Sequence, residues 1–244
     1  MENTREIILD CLSEMEKGSV FCNVLIRQVL GKYDYLPPQE KAFIKRVTEG
    51  TVERRIELDY IIDQFSSVPV PKMKPFIRQL LRMSVYQLFY MDAVPDSAVC
   101  NEAVRLAQKR HFQSLKGFVN GVLRNIARNR EKIAYPDREK DWARAVSVRY
   151  SMPEFLVKLW GTDYGRERAE GMCRALLEVK PVSLRISEEL SPERQEEIAA
   201  AWRKKGLQCE RHPWLPYAWR CRNVDGVQRL PGFAEGYVTG QDVS

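Results

Sequence analysis

From Asn3 to about Arg130 the apolar residues recur at spacings of three and four, and no stretch there sustains the alternation of a half-buried strand. This half is predicted to be all-α. A first helix opens with Asn3 as its cap and Glu6 three residues on, a capping-box pattern. It carries Ile7, Ile8, Cys11, Leu12 and Met15 as a buried stripe, and Gly18 ends it. A second helix carries Val24, Leu25, Val29 and Leu30 before Gly31. The Pro37-Pro38 pair starts a longer helix expected to run to about Phe65, since proline suits a first turn. Pro69, Pro71 and Pro75 make the next segment a connection. PFIRQLLRMSVYQLFYM is apolar around much of its circumference, which predicts a central helix packed on several sides. Asp92 to Pro95 breaks it, and two amphipathic helices joined by a basic turn containing His111 follow.

Around Ala134 to Asp141 the pattern stops in a polar stretch, YPDREKD, which reads as a linker. Beyond it, Trp142 to Tyr150, Pro153 to Tyr164 and Gly165 to Val179 read as helices, and Val182 to Ile186 alternates as a strand. Ser191 caps another helix with Pro192 in its first turn, and basic residues fill its last turn before Gly206. Leu207 to Arg211 and Ala218 to Arg222 are short strand candidates, with His212 ending the first. The glycines of GVQRLPGFAEGYVTG match no nucleotide-binding fingerprint and read as turns. The expected fold class is mainly α, an all-α helical bundle followed by a small α+β domain of helices and a short antiparallel sheet. The expected boundaries are 1–134 for the bundle, 135–141 for the linker, 142–235 for the small domain and 236–244 for a leading-out segment.

Composition narrows the classes. The 244 residues are 44% hydrophobic and 30% charged, ample for packed cores, and no apolar run approaches the ~18 residues that would span a bilayer. The start, MENTREIILDC, lacks the pattern of a secretory signal, so a cytoplasmic location with reduced thiols is expected. Cys11, Cys22, Cys100, Cys173, Cys209 and Cys221 never fall within two to four residues of one another, so no zinc-type site is expected. Paired acids such as Glu188-Glu189 and Glu196-Glu197 read as solvated helix or capping residues, and no catalytic constellation emerges.

The charge is uneven. From Arg105 to Lys132 eight cations face the single acid Glu131, whereas the whole chain carries only +6. Lys116, Asn120, Arg124 and Arg128 follow one another every four residues beside the apolar stripe of Leu115, Phe118, Val119, Val122, Leu123 and Ile126. Four residues advance about 400°, so the polar series stays on one side of the helix as a ridge. A solvated face would show basic residues too, but it usually interleaves both signs, and Arg105 to Arg130 contains no acid. The ridge therefore points to a polyanion met through phosphates and shape. The candidate RNA-binding residues are Arg105, Lys109, Arg110, Lys116, Asn120, Arg124, Arg128 and Arg130. Gly117 and Gly121 would let another backbone approach.

Three segments carry a family likeness: QEKAFIKRVTEGTVERRIELDYII, VPDSAVCNEAVRLAQ and LKGFVNGVLRNIAR. Together they resemble the NusB-type helical RNA-binding domain over essentially all of Asn3 to Arg130. The continuation YSMPEFLVKLWGTDYGRERAEGMCRALLEVKPVSLRIS, with FAEGYVTGQDVS, is similar to the region before the catalytic core in the bacterial small-subunit ribosomal RNA methyltransferase B family, also called Sun or Fmu. The resemblance implies a cytosine-5 methyltransferase that uses S-adenosylmethionine and two cysteines in Pro-Cys and Thr-Cys contexts. No cysteine here follows Pro or Thr, so neither nucleophile nor cofactor pocket carries over.

The chain is thus expected to hold the RNA-recognition portion of such an enzyme, to lack its methyltransferase domain and to be catalytically silent with no cofactor or metal of its own. Small-subunit ribosomal RNA is the expected partner. The alternative is a NusB-type antitermination protein binding RNA with a ribosomal protein, against which stand the roughly 110 residues after Arg130. A weaker reading is a helical module whose basic face meets an acidic protein.

Overall fold

The computed structural model describes residues 3–18, 20–178, 180–224 and 226–241. The expected helix end at Val179 and the Asp242 to Ser244 part of the last segment lie outside the described residues. The chain forms two compact units, Met1–Leu177 and Glu178–Ser244.

In the first unit, α1 (Thr4–Glu16) is capped by the Asn3 side chain, which accepts from the Arg5 amide at 2.9 Å. α2 (Cys22–Lys32) buries Leu25 and Ile26. The long helix expected from Pro38 to Phe65 is two, α3 (Pro38–Glu53) and α4 (Arg55–Phe65), broken at Arg54, whose φ of −96° and ψ of 13° leave the helical region. No Gly or Pro marks this break. Tertiary contacts hold it: the Arg54 guanidinium lies 4.9 Å from the Tyr90 ring centre, 3.4 Å from Glu57 and 3.5 Å from the Arg149 carbonyl.

α5 (Pro75–Tyr90) is the central helix, with eleven residues from Ile77 to Leu88 buried. Two of its buried polar groups have partners from other helices. Arg82 grips both oxygens of Asp59 at 2.6 Å, and Gln87 accepts from Arg5 at 2.8 Å. α6 (Asp96–Lys109) and α7 (Lys116–Arg128) pack on each other and on α5.

The stretch read as a linker is tied down. Tyr135 stacks on Tyr60 with centroids 6.3 Å apart, and the Tyr60 hydroxyl donates to the Ala134 carbonyl at 2.7 Å. Tyr135 also donates to the buried Glu57 at 3.3 Å, and burial beside that carboxylate pushes its hydroxyl up to about 12. α8 (Trp142–Tyr150), α9 (Glu154–Tyr164) and α10 (Arg166–Leu177) share a smaller core of Trp142, Ala143, Val146, Val157, Ala169 and Cys173. They belong to the first compact unit, with α8 packed on α4, whereas the sequence pattern grouped residues 142–235 together.

The second unit is an antiparallel sheet of order β2-β3-β1-β4, built from β1 (Val182–Ile186), β2 (Gln208–Arg211), β3 (Ala218–Arg222) and β4 (Val238–Gly240), with α11 (Pro192–Lys204) on one face. Trp202 and Trp219 meet edge-on at its centre, 6.3 Å apart. β4 lies inside the glycine-rich stretch read only as turns. A three-residue edge strand is too short for alternation to show, although Gly226, Gly232 and Gly236 around it do turn the chain with positive φ. The fold class is as expected, mainly α with a small antiparallel sheet.

Gly50 of α3 allows the Tyr86 ring to lie so close that an added Cβ would sit 2.1 Å from it, whereas one on Gly31 would meet nothing within 4 Å. Gly50→Ala should therefore destabilise by about 1–3 kcal/mol through overpacking, and Gly31→Ala should stabilise by a few tenths up to ~1 kcal/mol. Urea unfolding of the two variants checks this, and a Gly50→Ala midpoint equal to wild type would show that the close approach is not required.

Candidate nucleic-acid interface

The cationic segment is shaped first by its turn. His111 takes a left-handed φ of +64°, the His111 amide donates to the Gln108 carbonyl at 3.1 Å, and the Phe112 amide donates to the Ala107 carbonyl at 2.8 Å. This crossed pair closes the C-terminus of α6 and reverses the chain. Phe112 then stacks on Phe76 with centroids 4.8 Å apart and planes 3° from parallel, so the turn is anchored to α5. His111 occupies the turn as expected, yet what it contributes is backbone conformation.

After a 3₁₀ turn at Gln113–Leu115, α7 buries Val119, Val122, Leu123 and Ile126. That choice of face turns Lys116, Gly117, Gly121, Arg124 and Arg128 to solvent and leaves Asn120 half-buried. No neighbouring helix occupies the space beside the two glycines, where an added Cβ would meet nothing within 4 Å. Instead α6 and α7 together line an open groove of about 440 Å³, bordered by Asn101, Val104, Arg105, Gln108, Lys116, Gly117, Asn120 and Arg124. Asn101 and Gln108 were not singled out in the sequence. Their spacing with Arg105 puts all three on one face of α6, but a polar stripe is ordinary on any exposed helix.

The eight candidates differ in electrostatic setting. Lys116, Arg124 and Arg128 are exposed, and no described acid lies within ion-pairing distance of them. Arg105 is 75% exposed and pairs within its own helix with Glu102 at 2.8 Å. Lys109 and Arg110 are held across the bundle by α1. Lys109 reaches Glu6 at 2.5 Å, and Arg110 reaches Glu6 at 3.0 Å and Asp10 at 2.7 Å. Arg130 pairs with Asp96 at 2.5 Å and lies over the Phe89 ring. Glu6 therefore serves α6 with the carboxylate expected to complete the cap of α1. The hydrogen bond from Lys109, with that from Arg110, holds its carboxyl below the usual range despite burial. Four carboxylates invisible in the 105–130 stretch thus balance part of its charge, and the uncompensated field centres on α7 and its groove.

Such a groove can hold anions. Three unpaired cations stand along one side of the helix, and the positive end of α7 opens at Lys116. It offers no stacking platform, because Phe112 and Phe118 pack against the core. The rest of the chain presents little nucleophilic chemistry. Burial raises the thiols of Cys11, Cys22, Cys100, Cys173, Cys209 and Cys221 above the ordinary value, Cys11 to about 11, which keeps them protonated. No three described His, Cys, Asp or Glu side chains cluster as a metal site would require, and no helix is long and apolar enough to cross a membrane.

The NusB family model matches residues 2–128. The probable ribosomal RNA small subunit methyltransferase B of Bacillus subtilis (strain 168) is 37% identical over 186 residues, 76% of this chain and 41% of that protein. Its counterpart in Synechocystis sp. (strain ATCC 27184 / PCC 6803 / Kazusa) is 31% identical over 246 residues, 100% of this chain and 54% of that protein. The crystal structure of PH0851 superposes with a TM-score of 0.64 at 15% identity, covering 99% of this chain and 53% of that one, a likeness of fold alone. The chain spans about half the length of the curated relatives it matches. The bundle that presents the α7 groove is thus the NusB domain, and the chain belongs to the NusB family, homologous along its length to part of the bacterial small-subunit ribosomal RNA methyltransferase B proteins.

Proposed function

We propose that the chain is the RNA-holding, substrate-recognition portion of a small-subunit ribosomal RNA (cytosine-5) methyltransferase, working in the cytoplasm and catalytically silent by itself. The observation that carries this reading is the unpaired cationic ridge of Lys116, Arg124 and Arg128 beside an open groove, in a domain whose relatives are named for ribosomal RNA methylation. The ridge meets phosphates, Asn120 and Arg105 extend the contact, and Lys109, Arg110 and Arg130 act as a flanking field already partly answered by acids. In this reading residues 1–134 hold RNA, while 142–235 carry it toward a catalytic domain that 236–244 would lead into.

The glycines among the described residues do not support a site for S-adenosylmethionine, which the relatives' methyl transfer calls for. Gly226, Gly232 and Gly236 form turns beside β4, and an added Cβ on Gly232 would meet Val238 at 2.7 Å, so they shape the unit's own packing rather than cradle a nucleotide. Antitermination would account for residues 2–128 and leave α8 to β4 without a role.

Lys116, Arg124 and Arg128 replaced together by Ala should weaken binding to a structured ribosomal RNA fragment and flatten the salt dependence by about one unit of slope for each phosphate no longer neutralised. An anisotropy titration with unchanged affinity and slope would remove this face from the site. Glu6→Gln should release Lys109, leave Arg110 on Asp10 alone, and tighten RNA binding by about threefold at low ionic strength, given one charge at roughly 6 Å in water. Because the folded Glu6 carboxyl is lowered, its clamp lends stability above the unfolded carboxylate range and loses it as pH falls through the folded value. Thermal melts across that acid range should show a steeper loss in wild type than in Glu6→Gln. The purified chain should transfer no methyl from radiolabelled S-adenosylmethionine to ribosomal RNA, and incorporation above background would overturn the silent reading.

A further inference from the structure

The sheet of the second unit has one face under α11 and one face open. Leu184, Ile186, Trp219 and Cys221 join the core, so strand alternation puts Ser183 and Arg185 of β1 and Arg220 and Arg222 of β3 on the opposite face. The register sets Ser183 across from Arg220 and Arg185 across from Ala218, so these cations occupy neighbouring strands of one surface. Arg185 is exposed and pairs with Glu188 at 3.5 Å, Arg222 is exposed, and Arg220 is half-buried across from Glu210 of β2, so three cations meet two acids.

The loop between β2 and β3 rises at the rim of this face. It is pinned by His212, only 6% exposed, whose amide donates to the Ala218 carbonyl at 2.8 Å and whose Nδ1 accepts from the Trp214 amide at 3.3 Å. Arg220 lies 3.3 Å from His212 Nε2, and the Arg185 guanidinium lies 5.4 Å from the Tyr217 ring centre. At the tip stands Trp214, 82% exposed, touching the His212 ring edge-on at 5.6 Å. A large aromatic ring held out in water by a fixed loop gives the fold little packing. It is instead a prepared flat surface, continuous through His212 with a cationic sheet face.

We propose that this open face is a second nucleic-acid contact, one for single-stranded RNA, with the Trp214 indole stacking on an unpaired base while Arg185, Arg220 and Arg222 meet the adjoining phosphates. It differs in kind from the α7 groove, which has cations and no exposed ring, and it takes from the preceding reading only that the partner is RNA. Aromatic rings interleaved with arginines suit unpaired strands because every base has a stackable face, while a duplex hides its bases.

The test uses the whole chain with two fluorescein-labelled probes, a 12-nucleotide unpaired RNA and a fully paired hairpin. Trp214→Ala should weaken single-strand binding between about fivefold and a hundredfold and leave the hairpin nearly unaffected. Trp214→Phe should restore most of the affinity, since a ring suffices for stacking. Tryptophan emission should be quenched by the single strand in wild type and much less in Trp214→Phe. Equal single-strand affinity for wild type and Trp214→Ala overturns the proposal, as does a Trp214→Phe variant as weak as Trp214→Ala. Wild-type chain that does not bind the single strand overturns it as well, and leaves a protein as occupant of the face. If the Lys116, Arg124 and Arg128 triple variant binds both probes like wild type while Trp214→Ala no longer holds the single strand, the α7 reading falls and this one stands.

Discussion

The burial of α5 governs the helical unit. A helix apolar on nearly all sides cannot rest on the surface, so α1, α3, α4, α6 and α7 must pack around it. Close packing then dictates details well away from it: Gly50 stays without a side chain because Tyr86 fills the space, and Asp59 and Arg5 turn inward to meet Arg82 and Gln87. Phe112, stacked on Phe76 at the start of α5, sets where the chain re-enters as α7. The orientation of α7 toward solvent is a downstream result of how its own stripe meets that central helix.

Charge placement follows from the same packing. Bringing α1 beside α6 puts Glu6 and Asp10 against Lys109 and Arg110, and Asp96 of α6 meets Arg130 beyond the end of α7. Exposed pairs of this kind contribute little to stability, about 0–1 kcal/mol each. Their larger effect is on where charge stays unanswered along α7, at Lys116, Arg124 and Arg128. The NusB domain thus offers a focused patch where the bare sequence suggests a broad one. In the second unit the arginines are organised differently, on a sheet face beside a projecting indole.

Much of the fold was legible. The stripe of Val119, Val122, Leu123 and Ile126 identifies both the helix and its wet face, because periodicity alone decides which side is buried. Ser191 and Pro192 announce α11, and Gly18 and Gly206 mark chain reversals with positive φ. The break at Arg54 was not legible, since 38–65 is good helix sequence throughout and only Glu57, Tyr90 and the Arg149 carbonyl together favour a turn there. Nor was β4, whose three residues are too few to show a pattern and form a strand only because β1 has an edge to pair with.

What the sequence by itself determined is local: the helical periods, the caps, the faces, and the concentration of basic residues between Arg105 and Lys132. Tertiary structure alone decided which of those cations stay unpaired, that Glu6 serves α6 instead of its own cap, that residues 135–141 are held by Tyr60, Glu57 and Glu170, and that Trp214 stands beside Arg220. The division has a plain physical cause. Backbone propensity and amphipathicity act over a few consecutive residues, whereas Coulomb and packing energies depend on distance through space, and space is assigned only when the chain folds.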